Sequence, residues 1–314
     1  MDISIIIVNW NTKKLLKDCL TSIYEQTRSI DFEVIVVDNC SSDGSAEIVK
    51  AGFPKVILIE NKENRGFAVA NNQAIAIARG RYILLLNSDT IVLDKAIEKT
   101  VAFANANPEV AAFGCRVLNP DGTVQTTCFM FPSILNMILS STYLYKLFPG
   151  SKFFGREQMT WWDRNDVREV DVVTGCFILV RREAIEQVGT LDERFFMYGE
   201  ETDWCYRMKK NGWKIMFTPV GQIIHFGGQS ASKIPVTMII QLRLSILKFI
   251  KKHYSRPSIF FARLLTALFF FIRLPAWFVI YLFRPRHRNE ASTKLQSYSA
   301  GILNVLFGRL DTRK

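Results

Sequence analysis

The chain has 314 residues, of which 49% are hydrophobic, and a formal net charge of +11. This length accommodates one large domain plus an appendage, and so high a hydrophobic fraction indicates membrane contact rather than a fully soluble enzyme. Residues 1–231 hold 25 Lys+Arg and 27 Asp+Glu, a net of −2, whereas residues 232–314 hold 15 and 2, a net of +13. The last quarter is therefore predicted to bind an anionic partner, either lipid or nucleic acid.

The cysteines and the N-terminus indicate the compartment. Six cysteines occur without a CxxC pair, which disfavours a structural zinc site and predicts ordinary core thiols in a reducing environment. Met1 and Asp2 lead directly into an apolar run without the basic segment and cleavage site of a secretory signal. We therefore expect a cytoplasmic catalytic face.

The first half of the chain alternates apolar runs with helical patterns. Strands are predicted at residues 4–10, 32–37, 56–59, 81–86 and 110–118, and helices from residue 12, at 66–78 and at 94–105. This alternation predicts an α/β fold with a Rossmann-like, doubly wound, mostly parallel sheet flanked by helices. Neither a G-x-G-x-x-G after the first strand nor a P-loop is present, which disfavours a dehydrogenase.

The second half is less regular. Residues 129–154 are apolar and aromatic, and form either a core insertion or a surface for lipid or acceptor. Trp161 and Trp162 either stack on a sugar ring or pack in the fold. Regular structure is predicted to resume at 171–181, followed by a helix from 182, a helix at 200–211 and two short strands at 213–217 and 222–225.

The triplet Asn87-Ser88-Asp89 follows the apolar strand Tyr82 to Leu86. Ligand sites in open α/β sheets lie just beyond the carboxyl ends of such strands. A carboxylate there can bind a divalent cation that in turn binds a diphosphate. The alternative is a helix N-cap formed by Asp89 or Thr90.

Other polar residues near predicted element ends are candidates for the same site. His225 ends a strand and would suit Mn²⁺ together with Asp89, unless it is only structural. Glu200, Glu201 and Asp203 either stabilise a helix dipole or supply a general base. Asn64, Asn71 and Asn72 either bind a sugar or phosphate or lie on a solvated helix face.

An ordered set of motifs resembles family 2 glycosyltransferases of the GT-A fold. The segments are Ser4-Ile-Ile-Ile-Val-Asn-Trp-Asn11, Val37-Asp-Asn-Cys-Ser-Ser-Asp-Gly44, Asn64-Arg-Gly-Phe-Ala-Val-Ala-Asn-Asn72, Asn87-Ser88-Asp89, Thr174-Gly175, Phe196-Met-Tyr-Gly-Glu-Glu-Thr-Asp203 and His225-Phe-Gly-Gly-Gln-Ser230. They cover nearly all of residues 1–231, which is the predicted GT-A domain. The branch that the chain resembles is the bacterial rhamnosyltransferase-like one, which makes cell-surface polysaccharides.

The resemblance implies a role for each matching position. Asp89 and His225 would hold Mg²⁺ or Mn²⁺, and Glu201 would be the catalytic base. The implied nucleotide-sugar site consists of Val8, Asn9, Trp10, Asp38, Asn64, Gly66, Phe67, Asn71, Asn87, Ser88, Thr174 and Gly175. Two positions depart from the family pattern: Asn87 replaces an acid, and Glu201 replaces an Asp, so that Glu200 or Asp203 could share the base role.

The implied reaction is an inverting, metal-dependent sugar transfer from a nucleotide-sugar donor. L-rhamnose from dTDP-rhamnose is the expected donor sugar, with UDP-sugars as the alternative, and the expected acceptor is a polyprenyl-diphosphate-linked saccharide. A nucleotidyltransferase is a further alternative, although a basic, glycine-rich triphosphate loop is absent near the N-terminus.

Residues 232–314 are predicted to be a basic, apolar, helical membrane-association region. Residues 236–254 fit an amphipathic helix, and the 264–283 run has the length of a membrane span but contains Arg273 and Pro275. Two interfacial or re-entrant helices are favoured over a true span, and a buried helical hairpin is the alternative. The cations are interleaved with Phe, Leu and Ile, which favours an anionic membrane surface over nucleic acid. The expected location is peripheral or monotopic, on the cytoplasmic face of the inner membrane.

Overall fold

The computed structural model describes residues 1–142, 144–227 and 235–308, with side chains from residue 240 onwards in the last stretch. It contains two compact units. The first comprises residues 1–131, 162–196 and 200–230, and the second comprises residues 132–161, 197–199 and 231–314. The predicted division at 231/232 stays a prediction, because the second unit also takes in two earlier segments. Residues 228–230 of the last motif lie outside the described residues.

The first unit is built on a mixed β-sheet. Its strands are β1 (Ile3–Asn9), β2 (Phe32–Asp38), β3 (Ile57–Glu60), β4 (Tyr82–Leu86), β5 (Thr90–Leu93), β6 (Val110–Leu118), β8 (Arg168–Glu169), β10 (Phe177–Arg181) and β11 (Lys214–His225). Their order is β3-β2-β1-β4-β10-β6-β11-β5, with β8 paired to β11. Two further short strands, β7 (Cys128–Phe129) and β9 (Val172–Val173), pair with each other. The α/β fold class is confirmed.

Parallel pairing forms the first half of the sheet and also joins β6 to β11 in the second half. β1 pairs in parallel with β2 and β4, and β2 with β3, and these strands read as continuous apolar runs because both faces are buried. β10 lies antiparallel between β4 and β6, and β5 and β8 are antiparallel to β11. The sheet is therefore mixed, and each of its antiparallel pairs involves β5, β8 or β10.

Helices cover the sheet and complete the core of this unit. They are α1 (Lys13–Gln26), α2 (Ser45–Gly52), α3 (Phe67–Ile77), α4 (Ala96–Ala106), α7 (Arg182–Val188) and α8 (Glu200–Lys210). Leu16, Leu20 and Ile23 of α1 and Ile97 and Val101 of α4 belong to the same buried cluster as the strand side chains. Five cysteines are buried, as expected of core thiols, and Cys40 is exposed.

The helix-cap alternative for the Asn87 triplet is wrong. The residues after Asp89 form strand β5, and helix α4 begins only at Ala96, after Asp94 and Lys95 with left-handed backbone (φ 41° and 55°). The β-branched residues Thr90, Ile91 and Val92 favour a strand, and β11 supplies its partner. The triplet is therefore a connection between two strands.

The two short strands predicted at 213–217 and 222–225 form one bent strand, β11. Its register with β6 shifts between Thr218 and Gln222, where Pro219 lacks the N–H that a sheet ladder requires. At Gly221 a Cβ would lie 2.7 Å from the Ala96 carbonyl oxygen, so only glycine allows this approach of α4. After the bend, β11 pairs with β5.

The structure gives Trp162 a packing role. Trp162 is 4% exposed, and its ring packs edge-on against Phe217 with 4.9 Å between ring centroids. Packing in the fold, rather than stacking on a sugar, therefore accounts for Trp162.

The second unit is helical in its described part. Its helices are α5 (Ile134–Ser141), α6 (Leu144–Leu147), α9 (Pro235–His253), α10 (Arg256–Phe271), α11 (Leu274–Phe283) and α12 (Arg288–Phe307). Within the described residues, the stretch Arg256–Phe283 alone is long and apolar enough to cross a membrane, by length and composition only. It is interrupted at Ile272 and Arg273, as the arginine and proline in the sequence predict.

A buried glutamate joins β1, β2 and the turn before β4. Glu33 is 7% exposed and accepts hydrogen bonds from the Ser4 hydroxyl at 2.7 Å and from the backbone N–H of Arg79 at 2.7 Å. The Arg79 guanidinium donates to its other oxygen at 2.8 Å. Burial by itself raises the pKa of Glu33, but these hydrogen bonds together outweigh burial and lower it.

We predict that Glu33→Gln lowers the free energy of unfolding at pH 7 by about 1.5–3 kcal/mol, the range for hydrogen bonds to a charged group. Because the pKa of Glu33 is lowered in the folded state, the stabilisation is present above the unfolded pKa of about 4.3 and is lost as pH falls through the folded value. Urea unfolding at pH 7 and at low pH measures both effects. Glu60→Gln, on an exposed ion pair with Lys50, is the control and should change stability little. An equal Glu33→Gln effect at both pH values would contradict the linkage.

Candidate active site

The carboxyl ends of β1 and β2 place two predicted nucleotide contacts side by side. Asn9 and Asp38 are opposite each other in the parallel register, and the Asn9 amide donates to Asp38 Oδ1 at 3.0 Å. The backbone N–H of Ser41 donates to Asp38 Oδ2 at 2.9 Å. Asp38 is 4% exposed, so its carboxylate is held in one orientation at the strand ends.

Thr12 links this pair to the Asn87 triplet. Its hydroxyl donates to Asn9 Oδ1 at 2.6 Å and lies 2.8 Å from the Ser88 hydroxyl. Val8 and Trp10, the other predicted contacts on this strand end, are partly exposed. The motifs of β1, β2 and β4 therefore converge, as expected for strand ends at one edge of a sheet.

The loop before α3 depends on Asn39, which sequence analysis did not single out. The Asn39 amide donates to Asn64 Oδ1 at 2.9 Å, and Asn39 Oδ1 accepts from the Arg65 backbone N–H at 3.1 Å. Gly66 has φ +82°, and a Cβ there would lie 2.5 Å from the Phe196 carbonyl oxygen. That carbonyl accepts from the Phe67 N–H at 2.8 Å, so glycine is required at this position.

The two asparagines on α3 make contacts within the fold. Asn71 is 1% exposed, and its amide donates to the Phe67 carbonyl at 2.9 Å. Asn72 donates to the Leu191 carbonyl at 2.9 Å and accepts from the Leu191 N–H at 3.1 Å. Asn72 thus joins α3 to the loop after α7. The role of Asn71 in nucleotide-sugar binding stays a prediction.

Thr174 and Gly175 lie between the α3 loop and the Asn87 triplet. A Cβ at Gly175 would be 3.6 Å from the Phe67 ring, and the next residue, Cys176, accepts from the Asn87 backbone N–H at 3.1 Å. The Thr174 hydroxyl lies 3.2 Å from Cys176 Sγ. Motifs separated by about a hundred residues in the sequence are therefore neighbours.

Asp89 and His225 are adjacent because β5 and β11 pair. His225 lies opposite Thr90 in the antiparallel register, and the Phe226 N–H donates to the Asp89 carbonyl at 2.9 Å. As a result His225 Nε2 is 3.3 Å from Asp89 Oδ1 and 3.3 Å from Asn87 Nδ2. Asp89 is 6% exposed.

Gln125 orients the imidazole, and sequence analysis did not identify it. Its Nε2 lies 2.7 Å from Asn119 Oδ1 and 3.3 Å from the His225 carbonyl oxygen, so its Oε1 faces His225 Nδ1 at 2.7 Å. An acceptor there places the proton of neutral imidazole on Nδ1 and leaves the Nε2 lone pair towards Asp89 and Asn87. Gln125 lies three residues after the Asn119-Pro120-Asp121-Gly122 turn. The sequence of that turn predicts a turn but gives no sign of this contact.

The donor set fits a hard divalent cation with two protein ligands. A carboxylate oxygen and an imidazole nitrogen facing each other at 3.3 Å are the types that Mn²⁺ binds, and the imidazole has the outer hydrogen bond typical of metal ligands. Among the described residues, no group of three or more His, Cys, Asp or Glu side chains could hold a metal. A cation bound by Asp89 and His225 would have coordination positions open to water or to substrate oxygens.

The three acids of α8 differ in their surroundings. Asp203 is fully buried, and its Oδ2 accepts from Arg207 Nε at 2.8 Å. Arg207 also donates to the Thr190 carbonyl at 2.6 Å, which ties this ion pair to the loop after α7. Glu200 is 4% exposed, whereas Glu201 is partly exposed in the first turn of the helix. Glu201 is thus the least buried of the three acids, although its Oε2 is buried as well.

Cys176 is a buried thiol whose backbone carbonyl contacts the Asn87 triplet. Burial raises the pKa of its thiol to about 12, and the negative charges of Asp89 and Glu201 contribute in the same direction. Both carboxylates therefore act on one buried side chain. Cys176 stays protonated at neutral pH and is not a nucleophile.

Two relatives with assigned names resemble the chain over most of its length. The N-acetylglucosaminyl-diphospho-decaprenol L-rhamnosyltransferase of Mycobacterium tuberculosis is 26% identical over 235 residues, which cover 71% of this chain and 75% of that protein. The O-antigen biosynthesis protein RfbC of Myxococcus xanthus is 28% identical over 233 residues, which cover 74% of this chain but 18% of that protein.

Solved structures show the same fold. Mannosyltransferase PcManGT from Pyrobaculum calidifontis was solved with GDP-Man and Mn²⁺ and has a TM-score of 0.59 at 16% identity. The superposition covers 98% of this chain and 87% of the mannosyltransferase chain. S. aureus TarS has a TM-score of 0.52 at 16% identity, covering 98% and 92%. These likenesses establish the GT-A fold. Residues 4–189, more than half of the sequence, match the model for glycosyl transferase family 2, and the chain therefore belongs to this family of glycosyltransferases.

Proposed function

We propose that this glycosyltransferase transfers L-rhamnose from dTDP-rhamnose, with inversion, to a saccharide on a polyprenyl diphosphate. The product would be an intermediate of a cell-surface polysaccharide. The reaction would take place at the cytoplasmic face of the cell membrane. Support for the sugar and the acceptor class comes from the name of the mycobacterial relative, which is 26% identical.

The observation that carries the proposal is the convergence of Asp89 and His225 beside Asn9 and Asp38 at one sheet edge. The nucleoside would bind at Asp38 and the diphosphate at Asp89. The metal would be Mg²⁺ or Mn²⁺, held by Asp89 and His225. When bound, it would neutralise charge on the departing diphosphate. Because Asn87 carries no charge, the site relies on His225 and the donor phosphates more than an Asp-x-Asp triplet would.

Glu201 would act as the general base. The acceptor hydroxyl would attack the anomeric carbon from the side opposite the diphosphate, and Glu201 would take its proton. The bond from the anomeric carbon to the diphosphate oxygen would break as the new glycosidic bond forms, so the configuration would invert. Asp203, bonded to Arg207, would instead hold the helix in place.

A donor panel tests the proposal. Release of nucleoside diphosphate from dTDP-rhamnose, UDP-glucose, UDP-N-acetylglucosamine and GDP-mannose is measured with membrane extract as the acceptor source. We expect release from dTDP-rhamnose to dominate, to cease in EDTA and to return with Mn²⁺ or Mg²⁺. Preference for a UDP-sugar would change the donor, and full activity in EDTA would refute the metal assignment.

We predict that Glu201→Gln keeps donor binding but lowers turnover by on the order of 10²-fold or more, as the loss of a general base does. Nucleoside diphosphate release measures turnover, and calorimetric titration of donor measures binding. Glu186→Gln on the exposed side of α7 is the matched control and should turn over normally. Near-normal turnover of Glu201→Gln would move the role to Glu200 or Asp203, which Glu200→Gln and Asp203→Asn would then separate.

A further inference from the structure

The last three helices form an antiparallel hairpin. Arg288 Nε, at the start of α12, donates to the Tyr281 carbonyl at 3.2 Å, and the Lys294 ammonium lies 6.0 Å from the Trp277 ring centroid. Further along, a Cβ at Gly301 would be 2.8 Å from the Phe270 ring. Residue numbers rise along α12 as those of its partners fall, so α12 runs back along both α11 and α10.

The arginine inside the apolar run, Arg273, is buried within the hairpin. Arg273 is 6% exposed, its Nη1 donates to the Phe269 carbonyl at 2.6 Å, and its guanidinium lies 3.4 Å from the Phe269 ring centroid. The charge therefore does not reach the outer surface of α10 and α11. The sequence alone predicts that Arg273 interrupts the apolar surface. In the structure it does not, because its guanidinium is turned inwards.

The outer surface is aromatic, and the turn is cationic. Within α10 to α12, six phenylalanines are more than half exposed: Phe260, Phe261, Phe271, Phe278, Phe283 and Phe307. The turn between α11 and α12 carries Arg284, Arg286 and Arg288, all exposed. An apolar surface of this extent marks an interaction site, and the net charge of +13 in residues 232–314 selects an anionic partner.

We propose that this hairpin lies in the interface of an anionic lipid bilayer without crossing it. Insertion with the turn first would carry three arginines into hydrocarbon, which disfavours arginine much more than it favours phenylalanine. Lying flat, the phenylalanines enter the acyl boundary while the arginines remain among lipid phosphates. The geometry of this inference comes from the hairpin alone. Its biological purpose rests on the proposed lipid-linked acceptor.

Flotation of the full chain with vesicles tests the proposal. We expect binding to an equimolar mixture of phosphatidylcholine and phosphatidylglycerol, at least tenfold weaker binding to phosphatidylcholine alone, and release by alkaline carbonate. Joint Phe260→Ser, Phe271→Ser and Phe283→Ser changes should weaken binding tenfold or more. Joint Ile77→Ser, Val167→Ser and Val220→Ser changes on the first unit remove comparably placed exposed apolar groups and should not.

Each other result has a defined meaning. Retention after carbonate would show a membrane span, and undiminished binding of the phenylalanine variant would show that this surface does not contact lipid. Conversion of a dimer to a monomer by that variant would show that a second copy covers the surface. Any of these overturns the proposal. Donor turnover in solution is measured on the same variants, so that a failed donor assignment is distinguished from a failed hairpin assignment.

A different set of contacts links α9 to the chain just before the acids of α8. The Met197 carbonyl accepts from Gln241 Nε2 and from the Ser245 hydroxyl, both at 3.2 Å. Gln241 is 7% exposed and Ser245 is fully buried. The next residue, Tyr198, has left-handed backbone with φ 66°, which a non-glycine residue adopts only where its surroundings hold it.

We infer that Gln241 and Ser245 are positioning residues for the proposed base. Met197 precedes Glu200 by three residues, so the two hydrogen bonds restrain the chain that leads into α8. Burial of these two polar side chains is tolerated because each donates to the Met197 carbonyl, which ties α9 to that carbonyl. This inference rests on Glu201 as the base for its catalytic consequence.

Joint Gln241→Leu and Ser245→Ala changes test the inference. We expect faster backbone hydrogen exchange over residues 196–203. We also expect a kcat lowered tenfold or more, with the donor KM within about threefold of normal. A second double variant, Gln241→Leu with Ser245→Thr, should partly recover kcat. Thr266→Val, which removes a buried hydroxyl bonded only within α10, is the control and should change neither. Unchanged exchange overturns the positioning role. Faster exchange with unchanged kcat overturns the catalytic consequence of the positioning role. A normal kcat in Glu201→Gln would instead show that the base assignment is wrong.

Discussion

The pairing of β5 with β11 is the constraint on which the candidate site depends. It places His225 next to Asp89, which is 136 residues away in the chain, with 3.3 Å between Nε2 and Oδ1. Because side chains alternate across a strand, a slip of one residue in this register would turn His225 to the opposite face. The bend at Pro219, made possible by Gly221, shifts the register of β11 against β6, and beyond the bend β11 pairs with β6 on one side and β5 on the other.

Amide side chains contact His225 and also hold the loop before α3. Gln125 accepts at His225 Nδ1, Asn87 contacts Nε2, and Asn39 holds the loop that carries Asn64. Amide side chains suit this work because each has a donor end and an acceptor end, so one bond determines the direction of the next. The site therefore has directional hydrogen bonds without the additional charges that a second acid would bring next to Asp89.

The basic excess and the proposed catalytic acids are separated along the chain. Residues 1–231 carry a net of −2, and the helical hairpin belongs to a segment with a net of +13. In the proposals above, the first serves a nucleotide donor and the second an anionic bilayer. Met197 to Gly199, which precede the α8 acids, belong to the helical unit, so the proposed base is continuous in the chain with the unit proposed to meet the membrane.

The sequence by itself determined the strand and helix pattern of the first unit, the family and the break at Arg273. These depend on local periodicity, motif order and proline chemistry, all of which are written in neighbouring residues. Tertiary structure alone decided that Thr90–Leu93 is a strand, that Gln125 faces His225, that Asp203 is bonded to Arg207 and that Arg273 folds onto Phe269. Strand register and side-chain packing set these contacts, because they join segments whose separation or orientation no local pattern specifies.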